Sequence, residues 1–223
     1  MLSLGIIPAR GGSKSIRLKN IKMFNNKHLI EHTMLTANRS NLSKTVVSTD
    51  NKKIKSICLA YKNIEVIDRP KQLASDEAPT ELSLTHACNF LINKYQFEPE
   101  IILILEPTSP LRSTRTINQC INILKNNKKF DSVIGVQKIN SPIGRIKNDY
   151  YKYLFPNLPR RRQDRECLYT ECSTIWGIRY KTFKKKNSVV GYRPYPLIIN
   201  SIEAYDINDI IDFKIAEAIQ KLK

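Results

Sequence analysis

Four cationic side chains, Arg10, Lys14, Arg17 and Lys19, fall within ten residues, and Gly11, Gly12 and Ser13 separate the first two. Such a loop suits a polyphosphate. Glycine lets backbone N–H groups come close to phosphate oxygens, while Arg10 adds a planar fork of donors and Lys14 a point charge. The order Gly12-Ser13-Lys14-Ser15 is not the Gly-Lys-Ser/Thr of a P-loop, and the Gly-x-Gly-x-x-Gly dinucleotide fingerprint is absent. Near the other end, Asp206-Ile207-Asn208 puts two oxygen-bearing side chains on one side of an extended segment. These could hold Mg²⁺, which binds through one or two carboxylates plus phosphates; equally, Asn208 or Asp209 could cap the helix that follows.

Other candidates are weaker. His28-Leu29-Ile30-Glu31-His32 matches a His-x-x-Glu-His zinc motif, but so short a match on one helix is common by accident. Cys172 has no neighbour in sequence that would activate a thiol, so it reads as pocket-lining rather than nucleophilic. Arg160 and Arg161 read as solvated charge.

The elements that must position these groups alternate. Leu4–Ile7 is a short apolar run that ends at Pro8, a buried strand leading into the cationic loop. Helical spacing over 29–37, a strand over 45–50, a helix over 54–61 and a strand over 65–67 follow. Next come a helix over 81–95 capped by Thr80, the apolar run Ile101–Leu105 as a central strand, a helix over 116–125 and a strand over 131–136. Such alternation predicts a parallel sheet covered by helices, with ligands beyond the carboxyl ends of its strands. The Arg10 loop, Asp50 and Arg69 all sit at those ends.

At 223 residues the chain is long enough for one domain with a full core, and 41% hydrophobic with 26% charged residues is ordinary for a globular protein. No apolar run approaches the ~20 residues that span a bilayer, and the start lacks a signal-peptide layout, so a cytoplasmic protein is expected, with no membrane partner. Cys58, Cys88, Cys120, Cys167 and Cys172 form no Cys-x-x-Cys pair, which argues against a disulfide framework. The net charge of +17 would suit an anionic partner, but its lysines are spread along the chain and no nucleic-acid-binding motif is present.

Ile7-Pro8-Ala9-Arg10-Gly11-Gly12-Ser13-Lys14, with Leu18-Lys19-Asn20-Ile21, closely resembles the signature of the acylneuraminate cytidylyltransferases, the CMP-sialic acid synthetases. Further blocks in the same order resemble theirs: Arg69-Pro70-Lys71-Gln72-Leu73-Ala74-Ser75-Asp76, Pro107-Thr108-Ser109-Pro110-Leu111-Arg112, Cys172 to Trp176, and Asp206 to Asn208. The sequence departs from the family pattern at Ser15 (usually Gly), Arg17 (often Pro), Glu106 (usually Gln), Cys172 (Asn) and Trp176 (Tyr).

The resemblance implies a three-layer αβα nucleotidyltransferase fold, α/β with a mainly parallel, Rossmann-like sheet. It would be one domain over 1–223, with a dimerisation and sugar-binding extension at about 138–171 and hence a homodimer. It implies transfer of CMP from CTP to the anomeric hydroxyl of a nonulosonic acid, releasing pyrophosphate. Arg10, Lys14 and Lys19 would act on the triphosphate. Ala9, Gly11, Gly12, Ser13 and Asn20 would join Arg10 in nucleotide binding, along with Arg69 and Thr80. Glu106, Arg162, Cys172 and Trp176 would meet the sugar, and Asp206 with Asn208 would hold Mg²⁺. Two rivals stay open: a synthetase for CMP-KDO or CMP-8-amino-KDO, which Glu106 and the altered Cys172 block favour, and a non-catalytic basic domain that binds nucleic acid.

Overall fold

The computed structural model describes residues 1–13, 15–157 and 159–222, without the side chain of Arg162. β1 (Ser3–Pro8) lies inside a seven-stranded sheet, flanked by β4 (Lys44–Thr49) and then β5 (Ile64–Asp68) on one side, all parallel. On the other side β6 (Ile101–Ile104) is parallel to β1, and β10 (Leu168–Arg179) is antiparallel to it. β7 (Ser132–Ile139) and β11 (Pro194–Ile198) complete the order β11-β7-β10-β6-β1-β4-β5. Two short hairpins stand apart: β2 (Met23–Phe24) with β3 (Lys27–His28), and β8 (Gly144–Lys147) with β9 (Tyr150–Tyr153).

The apolar strands are buried on both faces, which is why they read as continuous runs rather than alternations. Along β6 and just beyond it, Ile101, Leu103 and Leu105 enter the core under α1 (Leu29–Asn38), α2 (Lys52–Leu59) and α4 (Thr114–Asn126). Ile102 and Ile104 enter the opposite core, under α3 (Thr80–Tyr95) and α5 (Tyr180–Lys186). Each such side chain contributes roughly 1.5–3 kcal/mol by leaving water. A smaller cluster packs α6 (Ile210–Lys221) through Phe213 and Ala216 against Phe24, Leu29 and Leu111.

Local signals explain most boundaries, and two expectations need correction. Asn51 caps α2, its side chain accepting from Lys53 and Ile54 N–H, and Ser113 caps α4. Thr80, expected as a cap, is instead the first helical residue of α3; Pro79 precedes it in extended geometry, with no side-chain cap. Residues 206–208 are not a strand end but irregular chain before Asp209, which caps α6 in a box with Asp212. After the cationic loop Leu18 is left-handed at φ 54°, while no described glycine has positive φ. Among the described residues no helix is long and apolar enough to cross a membrane. His28 bonds Glu31 and His32 bonds the Phe24 carbonyl, so the zinc-like motif is a structural knot at the start of α1.

Candidate active site

Strand order reverses about β1, since β4 lies to one side and β6 to the other, and a cleft of about 300 Å³ opens there beyond the strands' carboxyl ends. The cationic loop forms one wall. Ala9 is buried and its N–H donates to Ser48 O at 2.9 Å, extending the β1–β4 ladder into the loop. Gly11 packs against the cap of α2: a Cβ there would lie 2.5 Å from Asn51 Nδ2. Its N–H donates to Asp50 Oδ1 at 2.8 Å. Gly12 is different, with nothing near its missing Cβ. Asn20 is buried and its Nδ2 donates to Arg10 O at 3.0 Å, which closes the loop on itself.

The loop is also clasped to the C-terminal block. Ser15 Oγ donates to Asn208 O, and Lys19 Nζ donates to Ile207 O at 2.8 Å. That block is pinned in turn to the turn after β6, by Ile207 N–H to Thr108 O at 2.9 Å. Residues nearly 200 apart in sequence thereby share one wall.

On the β5 side, Arg69 is buried and its guanidinium donates to Ser48 Oγ at 3.1 Å and Ser48 O at 2.9 Å. Burial pulls its pKa down, and Asp50 opposes that shift. Thr80 and Ser83 of α3 line the cleft beside it. Arg10 reaches across the cleft to an ion pair with Asp76.

At the β6 end, Glu106 and Asp206 crowd together. Burial raises the Glu106 pKa first, and the neighbouring Asp206 charge raises it further; Arg112 and Lys19 pull the other way. Burial likewise lowers the Lys19 pKa, against the carboxylates of Asp206, Glu106 and Asp212. Ser109 Oγ donates to Asp206 Oδ1 at 3.4 Å. Arg112 is buried beneath, donating to Thr174 O and to Glu106 O, and burial pushes its pKa down to about 10. Its Nη1 finds no partner among the described residues.

Two neighbouring carboxylates, Glu106 and Asp206, are oxygen donors of the kind a hard divalent cation takes. Among the described residues no three His, Cys, Asp or Glu side chains come close enough to hold a metal unaided. Phosphate or water oxygens would have to complete the shell. Asn208 is exposed, with its backbone engaged by Ser15 and Asp212, and it is the poorer donor of the expected pair.

Of the residues singled out in the sequence, Arg10, Gly12, Ser13, Lys19, Asn20, Arg69, Thr80 and Glu106 share the cleft. Cys172 does not line it; it is buried against Gly135 in the core under α1 and α4. Trp176 is not among the lining residues either; on β10 it pairs with Ile104 and packs with the α3-side core. Lys14 and the Arg162 side chain lie outside the described residues. Sequence reasoning missed Ser83, Ser109 and Glu203, and gave Asp76 no role. Asp76 had a signal, as the last residue of the block that begins at Arg69. Glu203 had none. Its carboxylate accepts from Ser113 N–H and Thr116 Oγ1 across ninety and eighty-seven positions.

Residues 4–155 match the model of a family described as cytidylyltransferase. The chain is 32% identical to the CMP-N,N'-diacetyllegionaminic acid synthase of Legionella pneumophila, over 100% of this chain and 97% of that one. It is 28% identical to the N-acylneuraminate cytidylyltransferase of Escherichia coli, over 99% of this chain but only 52% of that longer protein. The chain thus spans about half of some relatives and nearly all of others. In fold it superposes on CMP:2-keto-3-deoxy-manno-octonic acid synthetase complexed with CTP, with TM-score 0.73 at 13% identity, covering 100% and 99% of the two chains.

Proposed function

The chain belongs to the cytidylyltransferase family, and from that premise we propose that it transfers CMP from CTP to the anomeric hydroxyl of a nonulosonic acid and releases pyrophosphate. The single observation that carries this reading is the cleft at the β1–β6 reversal, which Arg10, Lys19 and Arg69 line together with Glu106, whose carboxyl feels the charges of Asp206 and Lys19.

The sheet order supports a division of the cleft into two halves. The β1–β4–β5 side, with Arg69, Thr80 and Asn20, takes the nucleoside. The cationic loop with Arg10 and Lys14 takes the triphosphate. The β6–β10 side, with Glu106 and Trp176, takes the sugar acid, whose carboxylate Arg162 would meet. The α-phosphorus then lies near Lys19. A divalent cation, Mg²⁺ by its oxygen donors, would sit on Asp206 and, when bound, neutralise phosphate charge and polarise the α-phosphoryl group. The sugar hydroxyl oxygen forms a bond to the α-phosphorus and loses its proton to water, while the bond from the α-phosphorus to the bridging oxygen breaks and that oxygen leaves with pyrophosphate. Lys19 and Arg10 stabilise the charge that shifts onto pyrophosphate. Chemistry of this kind rests on positioning and preorganised charge.

Residues 138–171 supply the dimerisation extension in this reading. The β8–β9 hairpin leaves Ile146, Tyr150 and Tyr153 exposed, as a face shared with a second copy would require. Drawing on CTP, the enzyme would work in the cytoplasm.

The test is CTP- and Mg²⁺-dependent pyrophosphate release across N-acetylneuraminate, legionaminate, pseudaminate, KDO and 8-amino-KDO. Release with a nine-carbon acid is expected. Release with the eight-carbon acids alone would move the substrate to the KDO class, which the acidic Glu106 also favours. Failure to bind CTP, with salt-sensitive binding of RNA instead, would leave a non-catalytic basic domain.

A further inference from the structure

β10 is interrupted by a long bulge. Glu171 pairs with Val136 and Trp176 with Ile134, so Cys172, Ser173, Thr174 and Ile175 together face the single β7 residue Gly135. The bulge is anchored on its inner side: Cys172 and Ile175 enter the core, Thr174 Oγ1 donates to Glu203 O at 3.0 Å, and Thr174 O accepts from Arg112. Its two ends are brought together by one side-chain contact, Trp176 Nε1–H to Glu171 Oε1 at 2.6 Å.

The register shows where that indole lies. Trp176 is directly opposite Ile104 across the β10–β6 pair, so the two side chains share a face. Ile102, Ile104 and Trp176 all pack in the α3-side core, while Leu103 and Leu105 pack in the other. The alternation carries Glu106 to the Trp176 side, where it lines the cleft. The indole therefore lies on the same face of the sheet as Glu106, on the side of β6 away from β1. An aromatic ring with an apolar face suits the C–H face of a sugar, but only if its plane is fixed. Half-exposed at the end of a bulge, it would otherwise rotate.

We propose that Glu171 is a positioning residue for the acceptor: its carboxylate clips the Trp176 indole across the bulge and fixes it as a platform for the sugar acid. This rests on the β6–β10 side being the acceptor side of the proposed transferase. The contact is a charge-assisted hydrogen bond, and a glutamine oxygen at the same position could still accept it.

Trp176 is the only tryptophan in the chain, so its fluorescence reports on this residue alone. The experiment compares the wild type, E171A and E171Q by indole emission during titration with the sugar acid that the wild type turns over, and by steady-state kinetics. In the wild type the acid should shift or quench the emission. E171A should change the emission of the free protein and raise the KM for the acid roughly tenfold. Its kcat and its KM for CTP should hold, and E171Q should restore most of the loss. An acid that is turned over without touching the emission would overturn the proposal. So would an unchanged acid KM in E171A, or E171Q as impaired as E171A. A wild type that turns over none of the acids overturns the transferase reading itself, which distinguishes the two failures; a melting curve of E171A excludes loss of fold.

Discussion

The two sides of the cleft are built differently. On the proposed nucleotide side several donors are already engaged by the protein: Gly11 N–H by Asp50, Arg10 by Asp76, and Arg69 by Ser48. It is parallel sheet and loop, its strands buried on both faces. On the acceptor side the sheet turns antiparallel, β10 bulges, and the cleft ends in a crowded pair of carboxylates above the buried Arg112. The first side keeps the resembled pattern at Arg10, Asn20 and Arg69 and departs from it at Ser15 and Arg17, whereas on the second Glu106, Cys172 and Trp176 all depart from it. A shared nucleotide needs one fixed set of donors. Acceptors that differ among relatives need a side that can vary without disturbing the sheet, and a bulge allows this because its extra residues need not keep the ladder's register.

Lys19 stands where the sides meet, and its removal should have the largest effect. K19A takes away a cation held in place by Ile207 O and facing both carboxylates. A fall in kcat of about 10²–10³ is expected, as for other preorganised charge stabilisers. Pyrophosphate release reads it, and CTP binding by calorimetry should weaken far less. Equal losses in both would make Lys19 a nucleotide anchor only, and the junction would belong to one side.

The contrast between the sides also marks what was legible in the sequence. The apolar runs at Leu4–Ile7 and Ile101–Leu105 could hardly be anything but buried strands, and the structure places both inside the sheet. Asn20, Arg69 and the Arg10 loop were found through local blocks and do share the cleft. The three-layer fold with a mainly parallel sheet stands as expected, with β10 the antiparallel exception. What stayed hidden depends on long-range closure. The Ser15–Asn208 and Lys19–Ile207 clasps join the two ends of the chain, and no periodicity reports such contacts. α5 and β11 were missed because Tyr180–Lys186 is short and lysine-rich and Pro194–Ile198 contains two prolines, which demote a strand in any pattern reading. Alternating polarity at Asp206 to Asn208 suggested a strand end, but the capping box of Asp209 and Asp212 decides the local geometry instead.

Within the nucleotide side, the two glycines should behave oppositely. G11A drives a methyl into Asn51, which caps α2, and should cost about 1–3 kcal/mol by displacing either the cap or the loop. G12A meets open space and should stay within about 0.5 kcal/mol of wild type. Thermal melts measure both. Equal tolerance would mean that the loop does not lean on the helix cap.

On the acceptor side the corresponding support is Glu203, which binds Ser113, Thr116 and Asn200 and so ties α4 to the chain behind the bulge. Burial pushes its pKa up, but the hydrogen bonds from Thr116, Ser113 and Asn200 outweigh that and leave it below the ordinary carboxylate value. A carboxyl depressed in the folded state contributes stability above its unfolded pKa and loses it as pH falls through the folded one. E203Q should therefore cost about 1 kcal/mol at neutral pH, and the difference from wild type should shrink as the pH drops below about 4.5. Urea unfolding at the two pH values measures this. A difference constant with pH would mean that packing, not charge, holds the acceptor side.

The smallest expected effect has the most informative sign. Asp76 pairs with Arg10 across the cleft, and both groups are partly exposed. A triphosphate that recruits Arg10 must displace this carboxylate. D76N removes the competing charge while keeping the size of the side chain. Exposed ion pairs are worth about 0–1 kcal/mol, so CTP should bind up to about fivefold more tightly to D76N at low salt. The gain should fade as salt screens the pair. Calorimetric titration of CTP at two ionic strengths decides the matter. Tighter binding would show that the nucleotide side is wired for exchange, with Asp76 standing in for phosphate while the cleft is empty. Weaker binding would instead make Asp76 part of the bound state, and the wiring of that side would be a scaffold that the nucleotide joins without breaking.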